Sequence, residues 1–351
     1  MPSNNLAKRR EYCNYHIDMK KLHIPQFWYS TDANNKSPLL SIILWPLSAL
    51  YQMGDKLNRL KTNQKPSPLP VICVGNITMG GGGKTPTARA LLKMIQDHGK
   101  FATPCFLMRG YGGNNKGPIE VDLTTHTSWD VGDEALMQAH YAPTIIASDR
   151  YDGAVLAEKL GYDLIIMDDG FQNYRLEKTL SFIVIDGGFG FGNGKTFPSG
   201  PLREPIKPAL KRANACIVIN KTDDINLSIL NKKRHYHASI NLLNNGQKTK
   251  GKKVIAMAGI ARPEKFFDTL EQNGYELYAH YGFSDHHVYT HGELQAIVER
   301  AERHNISVIT TEKDWIRLSE KWREKISYLK ISIEFDDKFK IYFNKCLDHI
   351  K

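Results

Sequence analysis

Lys84 and Thr85 stand directly behind four glycines, Gly80, Gly81, Gly82 and Gly83, in the stretch VICVGNITMGGGGKTP. A turn of this kind lets backbone N–H groups face inward onto phosphate oxygens at the N-terminus of a following helix. A lysine there reaches the β- and γ-phosphates, and a hydroxyl such as Thr85 holds Mg2+. The usual spacing GxxxxGK[ST] asks for glycine at position 78, where this chain has Thr78, so the match is to the tail of the motif. A flexible glycine linker is the plain alternative, disfavoured by the apolar run before the loop and the helical pattern after it. The pattern indicates a nucleoside triphosphate and does not separate ATP from GTP. The second half of such a site is an acid at the tip of a buried strand. LIIMDDG supplies Asp168 and Asp169. Adjacent carboxylates repel unless a cation or a hydrogen bond compensates, which favours Mg2+. An Asp-Gly turn accounts for Asp169-Gly170 but not for both acids.

These residues need strands and helices to hold them. Apolar runs at 71–74, 103–110, 142–148 and 162–170 read as strands, and so do LSFIVIDG, ACIVINK, KKVIAMAGI, ISVITTEKD and SYLKISIEF. Helical patterns fall between several of them, one at 151–161 ending on Gly161. Short apolar runs alternating with helices predict an α/β protein with a mostly parallel sheet. The segment 241–253 is rich in Gly, Asn and Lys and reads as a loop or hairpin tip.

With 351 residues, 41% of them apolar, the chain is long enough for two domains and apolar enough for a packed core. Cys13, Cys73, Cys105, Cys216 and Cys346 are widely spaced and read as reduced thiols. Net charge is +10, and residues 1–65 hold ten Lys/Arg against four acids, which points to a polyanionic partner or a solvated basic tail. Met19 is a second candidate start, with 1–18 an upstream extension. No secretory pattern is present, and no run reaches the roughly 20 apolar residues that span a bilayer. Residues 37–61, SPLLSIILWPLSALYQMGDKLNRLK, are apolar on most sides and basic at the end, with a kink expected at Pro46. Two readings compete for this segment: a buried helix of a soluble domain, or an interfacial helix with Trp45 and Tyr51 at headgroup level.

The motifs, taken in order, resemble one family, the tetraacyldisaccharide 4'-kinases. They are VGNITMGGGGKTP, RGYGG at 109–113, VGDEA at 131–135, DDGFQN at 168–173, GPLREP at 200–205, FSDHH at 283–287 and TEKD at 311–314. The resemblance implies an ATP-dependent lipid kinase that phosphorylates the 4'-hydroxyl of tetraacyldisaccharide 1-phosphate in lipid A biosynthesis. It also implies a peripheral place on the cytoplasmic face of the inner membrane, which favours the interfacial reading of 37–61. It implies Asp133 as catalytic base, His286 as its partner and Lys84 as the third catalytic group. Thr78, Gly80, Gly81, Gly82, Gly83, Lys84, Thr85 and Pro86 would bind ATP. Thr85, Asp168, Asp169 and Glu204 would hold Mg2+, and Asn76, Arg109 and Arg203 would meet substrate. Gly82 departs from the family, where Ser or Thr is common, and its absence of a side chain is expected to loosen the loop. The expected organisation is a basic extension at 1–36, a membrane-proximal helix at 37–61, a P-loop domain at 66–180, and a smaller α/β domain at 181–330. A C-terminal segment at 331–351 packs back on the first domain. Linker strands are expected near 178–186 and 248–256, with Asp133 and His286 on domains that close over a cleft.

Plainer readings exist for each residue: Asp133 as a helix N-cap, Arg203 paired with Glu204, and His286, His287 and His291 as loop histidines or a metal cluster. A rival function rests on CIVINKTDD, where Asn220 to Asp223 match the guanine-reading NKxD of GTPases and metallochaperone-type switches. Against it, Phe171 stands where a DxxG motif needs glycine. A nucleic-acid partner is not expected, because the basic residues flank an apolar run rather than interleaving with stacking aromatics. No obligate protein partner is expected.

Overall fold

The computed structural model describes residues 25–28, 38–80, 82–222, 227–243 and 251–351. The extension at 1–36 lies outside these except for 25–28, and Gly81, Asp223 and Cys13 lie outside as well. The chain divides into a large unit, 24–243 with 330–351, and a small unit built from the described part of 244–329.

The large unit is built on nine strands. In chain order they are β1 (Val71–Gly75), β2 (Pro104–Met108), β3 (Ile119–Glu120), β4 (Thr144–Ile146), β5 (Leu164–Asp168), β6 (Leu180–Asp186), β7 (Ala215–Ile219) and β8 (His235–Leu242). Four strands of the small unit intervene, β9 (Lys252–Ala258), β10 (Tyr275–Gly282), β11 (Ser307–Thr311) and β12 (Ile326–Leu329), before β13 (Ile331–Phe335) returns to the large sheet. The large sheet runs β13-β8-β7-β6-β1-β5-β2-β4-β3. Every pairing in it is parallel except β13 with β8 and β3 with β4.

The strands β1, β2, β5, β6 and β7 are buried along their whole length, as parallel strands covered on both faces must be. Alternate residues of β1 face opposite sides. Ile72 and Val74 pack with Ala88, Leu91 and Ile95 of the helix Lys84–His98 and with Phe339, Phe343 and Leu347 of the last helix. Val71 and Cys73 pack with Ala154 and Ala157 of the helix Arg150–Lys159 and with Ala209 and Leu210 of Ile206–Arg212. The C-terminal helix Asp337–His349 is held against β6 by edge contacts of Phe339 and Phe343 with Phe182.

The small unit is a four-stranded parallel sheet, β10-β9-β11-β12, packed on the helices Pro263–Gln272 and His291–Arg303. Its core gathers Ile255, Met257, Leu294, Ile297, Val298 and Trp322.

Three expectations change here. The second unit does not begin at 181, because β6, β7 and β8 extend the central sheet beside β1. The linker strands near 178–186 and 248–256 are likewise replaced: β6 is a core strand, β9 belongs to the small sheet, and the chain leaves through β8 and returns through its antiparallel partner β13. The run SYLKISIEF is two strands, since β12 pairs in the small sheet and β13 in the large one, with Lys330 between them.

The N-terminal helices Pro38–Ile43 and Trp45–Lys61 break at Leu44, with Pro46 in the first turn of the second, where a missing N–H costs nothing. Their amphipathicity is inverted. The buried side chains are polar: Ser41 donates to Ser199 O at 2.9 Å and Ser48 to Thr196 O at 2.9 Å, and half-buried Gln52 donates from Nε2 to Thr196 Oγ1 at 2.8 Å. The exposed side chains include Leu40, Ile42, Ile43, Trp45, Leu47, Leu50, Met53, Leu57 and Leu60. No helix among the described residues is long and apolar enough to cross a membrane.

Candidate active site

Three distant segments meet at the C-terminal end of β1. Register pairs Val74 with Asp168, so the tip of β5 lies beside the glycine loop, and Asp169 N donates to Val74 O at 2.9 Å. GPLRE runs along 77–79: Met79 N donates to Pro201 O at 2.8 Å and Arg203 N to Ile77 O at 2.7 Å. Gln172 joins all three segments, its Nε2 donating to Asn76 O at 2.9 Å and to Glu204 Oε1 at 3.0 Å.

The loop enters the helix Lys84–His98 through Gly83, the N-cap residue, with φ +79°. Lys84, Thr85 and Pro86 form the first turn, where proline is tolerated because no intrahelical N–H is needed. A Cβ at Gly82 would come 2.9 Å from Asn76 Nδ2, so this glycine lets the buried Asn76 amide sit tightly under the loop. Asn76 Nδ2 contacts Thr78 Oγ1 at 3.4 Å, and Asn76 Oδ1 has no hydrogen-bond partner among the described residues.

The two aspartates have different environments. Asp169 adopts φ +52° and faces two cations, Lys84 Nζ at 3.6 Å and Arg203 Nη1 at 2.9 Å. Burial alone would raise its pKa, but Lys84 and Arg203 outweigh that and hold the carboxyl below its ordinary range. Asp168 is 2% exposed. Burial, with Glu134 and Asp169 adding to it, pushes its pKa up to about 7 against the opposing pull of Lys84 and Thr85. Its Oδ2 accepts from Gln138 Nε2 at 3.1 Å, and its Oδ1 has no hydrogen-bond partner among the described residues.

A divalent cation fits this arrangement. An unpartnered buried carboxylate oxygen beside a helix-first-turn hydroxyl is the donor set that Mg2+ takes while keeping several waters. Glu204 is placed otherwise than expected. Both its oxygens are engaged, by Arg212 at 2.7 and 2.9 Å and by Gln172, so it anchors the loop, and Arg203 pairs with Asp169 instead of Glu204.

The raised pKa has a consequence for stability. Between the unfolded value near 3.8 and about 7, folding takes up a proton at Asp168, so this group destabilises the metal-free protein as pH rises through that window. Asp168→Asn removes the penalty. Its melting temperature without metal should exceed that of the parent at pH 8 and approach it at pH 5, as read by calorimetry in chelator.

Asp133 is the first residue of the helix Asp133–Ala139, and the N-cap is Gly132, with φ +88°. A Cβ at Gly132 would lie 2.3 Å from Tyr111 O, so the RGYGG backbone packs directly on the turn that presents Asp133. Arg109 is exposed just beyond β2.

His286 lies on the small unit, with φ +58°. Lys313 Nζ is 3.1 Å from its Nε2 and Arg317 Nη2 is 3.2 Å from its Nδ1. TEKD has a structural reason here. Buried Asp314 accepts from Gly259 N at 3.0 Å and from Thr311 Oγ1 at 2.5 Å, and it pairs with Arg317 at 3.2 Å. The three histidines do not form a metal cluster: His287 bonds Glu293 and stacks on Phe283, while His291 lies against Trp322.

Sequence reasoning gave no role to Gln138, Arg89, Gln172 or Arg212. Gln172 stood in a quoted motif, but neutral amides and structural cations carry no chemical signature until their partners are known.

A glycine loop at the end of a central parallel strand, with acids at the tip of its neighbour, defines a protein of the P-loop nucleoside-triphosphate-binding class. The model of the tetraacyldisaccharide-1-P 4'-kinase family matches residues 40–348, and the chain belongs to that family. The tetraacyldisaccharide 4'-kinase of Paramagnetospirillum magneticum is 43% identical over 322 residues, covering 90% of this chain and 95% of that protein. The enzyme of the same name from Bradyrhizobium diazoefficiens is 42% identical over 324 residues, covering 90% and 94%. A crystal structure of LpxK from Aquifex aeolicus in complex with ATP is 26% identical with a TM-score of 0.69, covering 88% of this chain and 98% of that one. The guanine-reading alternative is set aside on these relatives. Asn220 is also committed elsewhere, its Oδ1 accepting from Ile240 N at 2.9 Å, and Asp223 lies outside the described residues.

Proposed function

We propose that this kinase transfers the γ-phosphoryl group of ATP to the 4'-hydroxyl of a tetraacyldisaccharide 1-phosphate. The observation that carries the site is the set of charges around the glycine loop, with Lys84 held by Asp169 and Asp168 Oδ1 left without a partner.

Lys84 passes from Asp169 to the β- and γ-phosphates, whose other oxygens meet the N–H groups of the loop. Thr85 and Asp168 would hold Mg2+, which supplies positive charge to the phosphates when bound. Asp169 keeps the Arg203 guanidinium beside the developing charge. Asp133 accepts the hydroxyl proton as the new P–O bond forms and the bond to the β-phosphate oxygen breaks, releasing ADP. His286 is proposed to take part in the same reaction, on the resemblance of its motif to the family's.

The inverted helix pair supports a membrane-facing site for a lipid acceptor. A water-soluble surface rarely presents this many large apolar side chains together, and Lys56, Arg59 and Lys61 follow them on the exposed surface, suited to anionic lipid. The proposed location is the cytoplasmic face of the inner membrane, held peripherally.

The direct test is transfer of label from γ-labelled ATP to purified tetraacyldisaccharide 1-phosphate, with GTP in a parallel reaction. Label in the lipid with ATP supports the assignment. Lipid-independent hydrolysis sustained by GTP alone contradicts it.

A further inference from the structure

Burying a glutamine costs stability unless its amide is satisfied. Gln138 is 0% exposed, in the helix Asp133–Ala139, and its neighbours Ala135, Leu136 and Met137 are buried and apolar. The amide bridges two other elements. Its Oε1 accepts from Arg89 Nε at 2.7 Å, and its Nε2 donates to Asp168 Oδ2 at 3.1 Å.

The direction of the amide follows from chemistry. A guanidinium can only donate, so the oxygen must face Arg89 and the NH2 must face Asp168. Arg89 is fixed in turn, its guanidinium 3.9 Å from the centre of the Tyr141 ring and its Nη2 3.4 Å from Met137 O. With Oδ2 of Asp168 taken by Gln138, the oxygen left to a ligand is Oδ1, which has no partner among the described residues.

We propose that Gln138, oriented by Arg89, is a positioning residue that fixes the Asp168 carboxylate so that Oδ1 faces the divalent cation of Mg-ATP. The inference rests on the proposed role of Asp168. The same two bonds join the helix that begins with Asp133, the helix behind the phosphate loop and the tip of β5. One amide thus links the Asp168 carboxylate to the helix that begins with Asp133.

The test measures Mn2+ affinity in the presence of ATP by electron paramagnetic resonance, together with the Mg2+ concentration for half-maximal activity, in Gln138→Leu, Gln138→Glu and Arg89→Lys. Gln138→Glu keeps the volume and the Arg89 partner but turns an acceptor towards Asp168. Loss of an outer partner of a metal ligand typically weakens the metal about 10-fold or more. The two Gln138 variants should show a loss of that order, with the KM for ATP at saturating metal little changed. Arg89→Lys should shift in the same direction by less, and it carries the test if the Gln138 variants do not fold. Parental Mn2+ affinity in the folded variants overturns the proposal, whether or not melting temperature falls. Asp168→Asn separates the two claims. If it loses metal while the Gln138 variants keep it, only the positioning role fails, and if it too keeps metal, the metal role of Asp168 fails first.

Discussion

Asp133→Ala lowers kcat by roughly 100- to 10,000-fold, the range that general-base removal produces, and leaves the KM for ATP nearly unchanged. A sugar hydroxyl is a weak nucleophile at neutral pH, and a carboxylate placed at the acceptor can take its proton as the bond forms. Asp133 lies in the first turn of a short helix whose entry is fixed by Gly132 against Tyr111 O. A base that acts only on the acceptor hydroxyl leaves ATP binding in place when it is removed. Lys84→Ala behaves differently. It removes the cation that Asp169 holds ready, and the KM for ATP should rise together with the fall in kcat. His286→Ala should depress turnover with ATP affinity retained, as for Asp133. Steady-state kinetics over both substrates separates Lys84→Ala from the other two, and normal turnover by Asp133→Ala would contradict the base assignment.

Replacing Leu47 and Leu50 together by Glu abolishes binding to anionic vesicles while leaving the fold intact. Both side chains are more than half exposed and lie on the apolar side of the helix Trp45–Lys61. Burying one leucine is worth about 1.5–3 kcal/mol. Two removed therefore weaken partitioning by at least about 100-fold, since each 1.4 kcal/mol is a factor of ten. Activity on lipid acceptor should fall with it. The opposite face gives the control. Ser48→Val breaks the bonds to Thr196 O and Ser199 Oγ, so it should lower the melting temperature and leave vesicle affinity alone. Vesicle co-sedimentation and calorimetry read both, and unchanged co-sedimentation of the double variant would remove the helix as the membrane contact.

The central sheet was legible because parallel strands buried on both faces are written as unbroken apolar runs, such as VICVG, LIIMD and ACIVI. β8 and β10 were not, because HYHASINL and YELYAHYG alternate polar with half-buried positions. The unit boundary shares this blind spot: without β8, nothing in the sequence marks where the large sheet ends, so the sequence suggests 181 where the large unit continues to 243. At the site, Lys84, Thr85 and the aspartate pair could be read from residue type and spacing. What separates Asp168 from Asp169 could not, because the difference is made by burial beside Glu134 at one and by Lys84 with Arg203 at the other. Glu204 misled for the same reason, its charge being visible and its partner Arg212 eight residues later not.

The most direct measurement is a crystal structure with Mg2+ and a non-hydrolysable ATP analogue. The β- and γ-phosphates should lie against the N–H groups of 80–83 and Lys84, with the metal between phosphate oxygens and Asp168 Oδ1. Nucleotide seated elsewhere, with the glycine turn empty and Lys84 still paired to Asp169, would contradict the account.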